Sequence, residues 1–153
     1  RSFRRESVRI QWAFVGVGLV FGLALCLLAE PLVLLLFGAQ YRALIDLLPW
    51  FGLLFFVRFF ASSWGVLLTS AGAQGFRAAV NAVQWLLIAA LSLLAVPAYG
   101  LVGWLACLVL GNGLLALAYV WRGRSLSGTG WRQPALATLA LASFLPFLHV
   151  PRP

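Results

Sequence analysis

The chain has 153 residues, 63% of them hydrophobic and 9% charged, and its net charge of +8 comes from arginine alone because it contains no lysine. A soluble domain carries about 25% charged residues, so a chain with a mean hydropathy of +1.02 cannot cover itself in water, and a water-soluble domain is excluded. The arginines cluster at the ends of apolar runs, a placement that orients a protein in a membrane rather than along a nucleic acid.

Residues 1–9 form a basic segment, with Arg1, Arg4, Arg5 and Arg9 set against Glu6. The chain starts at Arg1 and holds no methionine, which leads us to expect a fragment whose N-terminal helices are missing. The apolar run over 10–29 meets the roughly 20-residue length of a membrane-spanning helix. It is too long for a signal peptide and lacks a cleavage pattern. Gly18, Gly22 and Cys26 recur at every fourth position of this run, the spacing that lets a second helix approach closely. Cys26 and Cys107 both lie in apolar runs and read as small packing residues rather than a disulfide or metal pair. Glu30 and Pro31 are expected to interrupt the first helix, residues 32–37 to continue it beyond a kink, and Gly38 to end it.

Residues 41–48 (YRALIDLL) are amphipathic: Tyr41, Leu44, Ile45 and Leu48 share a helical face from which Arg42 and Asp46 are absent. This stretch is expected along the membrane surface or as the tilted start of the next span. Pro49 suits a first helical turn, and the second span runs on to Ser70, with Arg58 near its middle. A glycine-rich turn over 71–75 precedes Arg77 and a third span over 78–96 that contains Asn81 and Gln84. Pro97 to Gly100 reads as a tight, uncharged turn into a fourth span over 101–121. Residues 10–121 are thus expected to form a four-helix membrane core. A basic loop over 122–132 follows, and then a fifth apolar run over 133–150, which is short and carries Pro146. The fold class expected is an all-α polytopic transmembrane bundle of about five spanning helices.

Arginine placement sets the orientation. With the N-terminus in the cytoplasm, inner segments hold Arg1, Arg4, Arg5, Arg9, Arg77, Arg122, Arg124 and Arg132, and outer segments only Arg42 and Arg152. Every loop then obeys the positive-inside rule, and the reverse orientation breaks it at each cytoplasmic loop. Trp12, Trp50, Trp121 and Trp131 fall near the expected helix ends, where indole rings favour the interface.

Arg58 is the residue most in need of explanation, because an arginine at the centre of a span costs at least about 2.5–3.5 kcal/mol. Ser62, Gly65 and Thr69 follow it on one small or polar stripe. Three readings stand side by side. Arg58 faces a central cavity suited to a phosphate or other anionic headgroup; it pairs structurally with Glu30 or caps carbonyls freed by the Pro31 kink; or it snorkels to the outer interface. Arg77, Asn81 and Gln84 share a face of the third span. Arg77 reads as an inner-face anchor, and Asn81 and Gln84 as interhelical hydrogen-bonding residues or ligand contacts, as does Asn112. The candidate substrate-binding set is therefore Arg58, Ser62, Asn81 and Gln84, with Glu30, Pro31, Gly38, Pro97 and Gly100 as kink and turn residues.

Catalytic machinery is not apparent. The chain has three acids and one histidine, His149, and no HExxH, P-loop or nucleotide fingerprint. Glu30 and Asp46 share no obvious face, and Ser62 and Ser63 have no histidine nearby to activate them. We expect neither an enzyme nor a metal or cofactor site.

From Leu28 onward the chain resembles the C-terminal half of bacterial polysaccharide-export flippases, within the multidrug/oligosaccharidyl-lipid/polysaccharide exporter superfamily. The resemblance is carried by AEPLVLLLFGAQYRALIDLLP (29–49), LLTSAGAQGFRAAVNAV (67–83) and VPAYGLVGWLA (96–106). In order, these give Phe37-Gly38 with Tyr41, Gly72 to Gln74 with Asn81, and Pro97 to Gly100 with Gly103. The resemblance implies a fragment of a larger two-lobed transporter in the bacterial inner membrane, worked by alternating access. An undecaprenyl-(pyro)phosphate-linked oligosaccharide would cross it with its headgroup in a cationic cavity and its tail in membrane lipid. No motif of the family coincides with Arg58. A lipid II flippase or a drug exporter of the same superfamily, a membrane-embedded glycosyltransferase or polymerase subunit, and a structural subunit of a transport complex are the alternatives.

Overall fold

The computed structural model of the chain describes residues 2–127 and 131–148. Arg1, His149, Arg152, the 128–130 part of the basic loop and the end of the fifth run lie outside the described residues. Every regular element among the described residues is helical: α1 (Ser2–Leu27), α2 (Ala29–Leu36), a 3-10 segment (Ala39–Leu44), α3 (Leu48–Ser70), α4 (Gln74–Gly123), α5 (Arg132–Leu141) and a second 3-10 segment (Ala142–Phe147). Among the described residues, three helical stretches are long and apolar enough to cross a membrane, Arg5–Leu27, Leu48–Ser70 and Gln74–Gly123.

The breaks in these helices follow from backbone chemistry. Proline has no N–H, and its ring clashes with the carbonyl four residues earlier, so Pro31 acts upstream of itself. The helical path breaks at Leu28 (φ −100°, ψ 11°) rather than at Glu30-Pro31, and Pro31 lies within the first turn of α2. Gly38 (φ 85°) then closes α2, its N–H donating to the Val33 carbonyl at 3.1 Å. The amphipathic stretch begins as 3-10 helix and tightens into a turn before α3 starts at Leu48, with Pro49 in its first turn.

α4 is one helix by its hydrogen bonds but two by its course. Its backbone is helical through Pro97 and leaves helical space at Gly100 (φ 59°, ψ −139°). The chain reverses there, so the reversal is confined to Gly100 instead of being spread over Pro97–Gly100. The arms 74–99 and 101–123 lie side by side, with Gly103 against the Ala95 carbonyl, Gly111 against Ile88, and Asn81 bonded to Tyr119.

Close backbone contact fixes α1 against α3. Gly18 faces Phe56 and Phe59, Gly22 meets Gly52, and the Cys26 thiol lies against Gly52 and the Pro49 carbonyl. The two helices are therefore antiparallel, and the small stripe of α1 is their contact line. On its other side α3 packs against the second arm of α4 through a core of Trp64, Leu67, Leu68, Leu115, Ala116, Tyr119 and Val120, with Phe76 and Val80 of the first arm partly buried against it. α5 and the segment after it run along α1. Gln133 donates to the Gln11 carbonyl at 2.9 Å, and the fully buried Phe144 reaches Gly22 and Phe56.

Candidate functional site

The stripe Arg58, Ser62, Gly65, Thr69 on α3 faces a seam between α3 and the two arms of α4. Arg58 donates from Nη1 to Asn112 Oδ1 at 3.0 Å. Asn112, buried in the second arm, is held in turn by its own amide nitrogen, which donates to the Leu108 carbonyl at 2.7 Å. The i−4 tether leaves the Asn112 oxygen presented to Arg58, so the amide orients the guanidinium. Asn112 takes up one of the five N–H donors of that fork.

Arg77 enters the same seam from the first turn of α4. Its guanidinium donates to the Thr69 hydroxyl, lies 5.8 Å from the centroid of the Tyr119 ring, and approaches the space a Cβ on Gly65 would need. A glycine at position 65 thus makes room for the arginine. Arg77 is half-buried, and its guanidinium turns into the seam. Asn81, one turn on, donates to the Tyr119 hydroxyl at 2.7 Å and to the Arg77 carbonyl at 2.8 Å.

Between these groups lies a cleft of about 80 Å³, lined by Arg58, Ser62, Arg77, Asn81, Asn112 and Tyr119 together with Ala61 and Leu115. Its walls carry two guanidinium groups and no carboxylate. Arg58 is exposed and Arg77 half-buried, and no carboxylate stands in the wall to pair with either. Two arginines in such a recess favour an anion, and the planar forks suit a phosphate or carboxylate.

Of the candidate residues, Arg58, Ser62 and Asn81 share this cleft, and Gln84 does not. Gln84 is buried against Gly111 between the α4 arms, and neither amide atom has a hydrogen-bond partner among the described residues. Glu30 is exposed on α2, and the partner of Arg58 is Asn112 rather than Glu30. Tyr119 was not singled out by the sequence reading. The signal for it was symmetry, since Asn81 and Tyr119, 38 residues apart, are equidistant from the reversal at Gly100.

Among the described residues no cluster of histidine, cysteine and acidic side chains could hold a metal ion. The fold and cleft define an all-helical chain, with helices fit to cross a bilayer, that encloses a cationic polar recess. Comparison with protein families, curated proteins and solved structures yields no match.

Proposed function

We propose that this chain is a membrane-embedded part of a transporter that flips a lipid-linked oligosaccharide across the bacterial inner membrane, with the anionic phosphate of the cargo passing Arg58 and Arg77. The observation that carries the reading is the meeting of two arginines, without an acid, in one recess between long apolar helices. The family resemblance of 29–106 points the same way.

A topology accompanies this proposal. α1, α3 and the two arms of α4 make four crossings, and α5 with its 3-10 continuation makes a fifth. At 1.5 Å per α-helical and about 2.0 Å per 3-10 residue, that last stretch extends about 27 Å, close to the roughly 30 Å hydrocarbon core. The packing supports a cytoplasmic N-terminus. The start of α1, the end of α4 and the start of α5 meet through the Gln11, Ser127 and Gln133 side chains. This collects Arg5, Arg9, Arg122, Arg124 and Arg132 at one end of the bundle, and Arg42 lies toward the other.

The test uses the full-length protein in proteoliposomes containing a fluorescent polyprenyl-pyrophosphate-linked saccharide. Protein-dependent movement of the label between leaflets is the expected result. No movement above empty liposomes contradicts the proposal, and elongation of the saccharide instead would mark a membrane-embedded glycosyltransferase or polymerase.

A further inference from the structure

The buried side chains of Gln11, Ser127 and Gln133 fasten α1, the end of α4 and the start of α5 to one another. This knot fixes the backbone from which the arginines of that end project. Arg124, the residue after α4, and Arg132, the first of α5, are both exposed. The Arg124 guanidinium lies 5.3 Å from the centroid of the Trp131 ring, itself 60% exposed. An indole attracts the cation through its face but supplies no acceptor, so the N–H donors of Arg124 are not satisfied by it. Glu6, the one acid on α1 among the described residues, lines a recess with Ser63 and Ser70 of α3, and neither Arg124 nor Arg132 belongs to that recess.

Deeper in the bundle from this corner, an apolar groove of about 450 Å³ opens between the second arm of α4 and α5. Gly113, Leu114 and Leu117 line it from α4, Ala137 and Thr138 from α5, and Phe60 from α3. Leu117 stands seven residues before Arg124, and Thr138 six after Arg132. At 1.5 Å per helical residue, the groove starts about 9–11 Å from the charged corner. The headgroup layer on each side of a bilayer is about 5–8 Å thick, a comparable depth. A phosphate held at the arginines therefore brings an acyl chain to the mouth of the groove.

Charge at the end of the spans with an apolar slot beneath it matches an anionic phospholipid. A zwitterionic headgroup would bring its own cation against the arginines, and an acidic peptide would leave the groove unfilled. We propose that Arg124, Trp131 and Arg132, with the groove below them, seat an anionic phospholipid of the cytoplasmic leaflet. Its phosphate lies on the two guanidinium groups and one acyl chain lies between α4 and α5. The proposal takes from the functional reading only the cytoplasmic placement of this end; the lipid stays in its leaflet and is not carried across. Orientation by positive charge needs only a number of arginines near a span, whereas a seat needs these two.

Displacement of a fluorescent phosphatidylglycerol from the purified full-length protein in detergent tests this. Unlabelled phosphatidylglycerol is expected to compete about tenfold or more tightly than phosphatidylcholine with the same chains, or than glycerophosphoglycerol alone. Arg124→Gln and Arg132→Gln are each expected to weaken phosphatidylglycerol about fivefold. Arg9→Gln removes the same charge from α1 at a position about 200° of helical turn from Gln11, and is expected to change nothing. Gly113→Leu, at a glycine with nothing within 4 Å of an added Cβ, fills the groove and is expected to weaken the lipid without lowering the unfolding temperature.

Equal competition by phosphatidylcholine would overturn the proposal, and so would equal losses from Arg9→Gln and Arg124→Gln, the mark of diffuse charge. Indifference to Gly113→Leu would overturn the acyl seat. Displacement by geranylgeranyl phosphate as effective as by phosphatidylglycerol would assign the corner to a polyprenyl carrier and overturn it too. Phosphatidylglycerol binding of this pattern without saccharide translocation removes the transport reading and leaves the seat. Translocation without this pattern does the reverse.

Discussion

Gly22 and Gly52 touch through their backbones: a Cβ on Gly22 would stand 2.6 Å from the Gly52 carbonyl oxygen, and one on Gly52 would strike the Gly22 carbonyl in return. Where apolar surroundings remove the hydrophobic drive between helices, this kind of close approach supplies the association through van der Waals contact. The α1–α3 seam therefore depends on two hydrogens where any other residue would place a methyl.

Gly52→Ala is expected to destabilise the fold by about 1–3 kcal/mol, the usual range for forcing a methyl group into a packed contact. Gly16, with nothing within 4 Å of an added Cβ, is the control, and Gly16→Ala is expected to be neutral or stabilising by up to about 1 kcal/mol. Thermal unfolding in detergent measures both. Equal behaviour of the two variants would mean that α1 and α3 do not meet at Gly52.

The reversal within α4 separates two residues that a sequence reading groups together. Gly100 holds a positive φ with an extended ψ, a region that residues with a Cβ enter only at about 1–3 kcal/mol. Pro97 lies in helical backbone three residues earlier and is exposed. Gly100→Ala is expected to lower stability by that amount. Pro97→Ala is expected to be neutral or stabilising, since it restores a helical N–H donor. The opposite ranking in the same unfolding measurement would place the bend at the proline.

Phe144 holds the C-terminal segment to the bundle. It is fully buried, with its ring centroid 5.6 Å from that of Phe56 and its edge against Gly22. Phe144→Ala is expected to cost about 3–5 kcal/mol and to expose 132–148 to limited proteolysis before the rest of the chain. Uniform proteolysis of the variant and the parent would show that α5 is not anchored at this point.

The helices were legible because their apolar runs are long and continuous, and because proline and glycine punctuate them. The positions of the breaks were less so. Pro31 disrupts a carbonyl upstream, so the break falls at Leu28, and Gly100 alone makes the turn expected over Pro97–Gly100. The stripe from Arg58 to Thr69 was visible as a periodicity, but its partners on α4 were not, since local spacing cannot show what a hairpin folds back against. Asn81 and Gln84 share a helix face by spacing, yet three residues leave a rotation of about 60° between them. That offset is enough to turn Asn81 toward Tyr119 and Gln84 toward Gly111.

Whether Arg58 meets an anion that crosses the membrane is decided by saccharide translocation by Arg58→Ala in proteoliposomes. A hydrogen bond to a charged group contributes about 1.5–3 kcal/mol, so the translocation rate is expected to fall roughly ten- to a hundredfold. Insertion and thermal stability of the variant are expected to stay near those of the parent, because Arg58 is an exposed residue and its only hydrogen-bond partner among the described residues, Asn112, keeps its own bond to Leu108. A properly inserted Arg58→Ala protein that translocates at the parental rate would contradict the account.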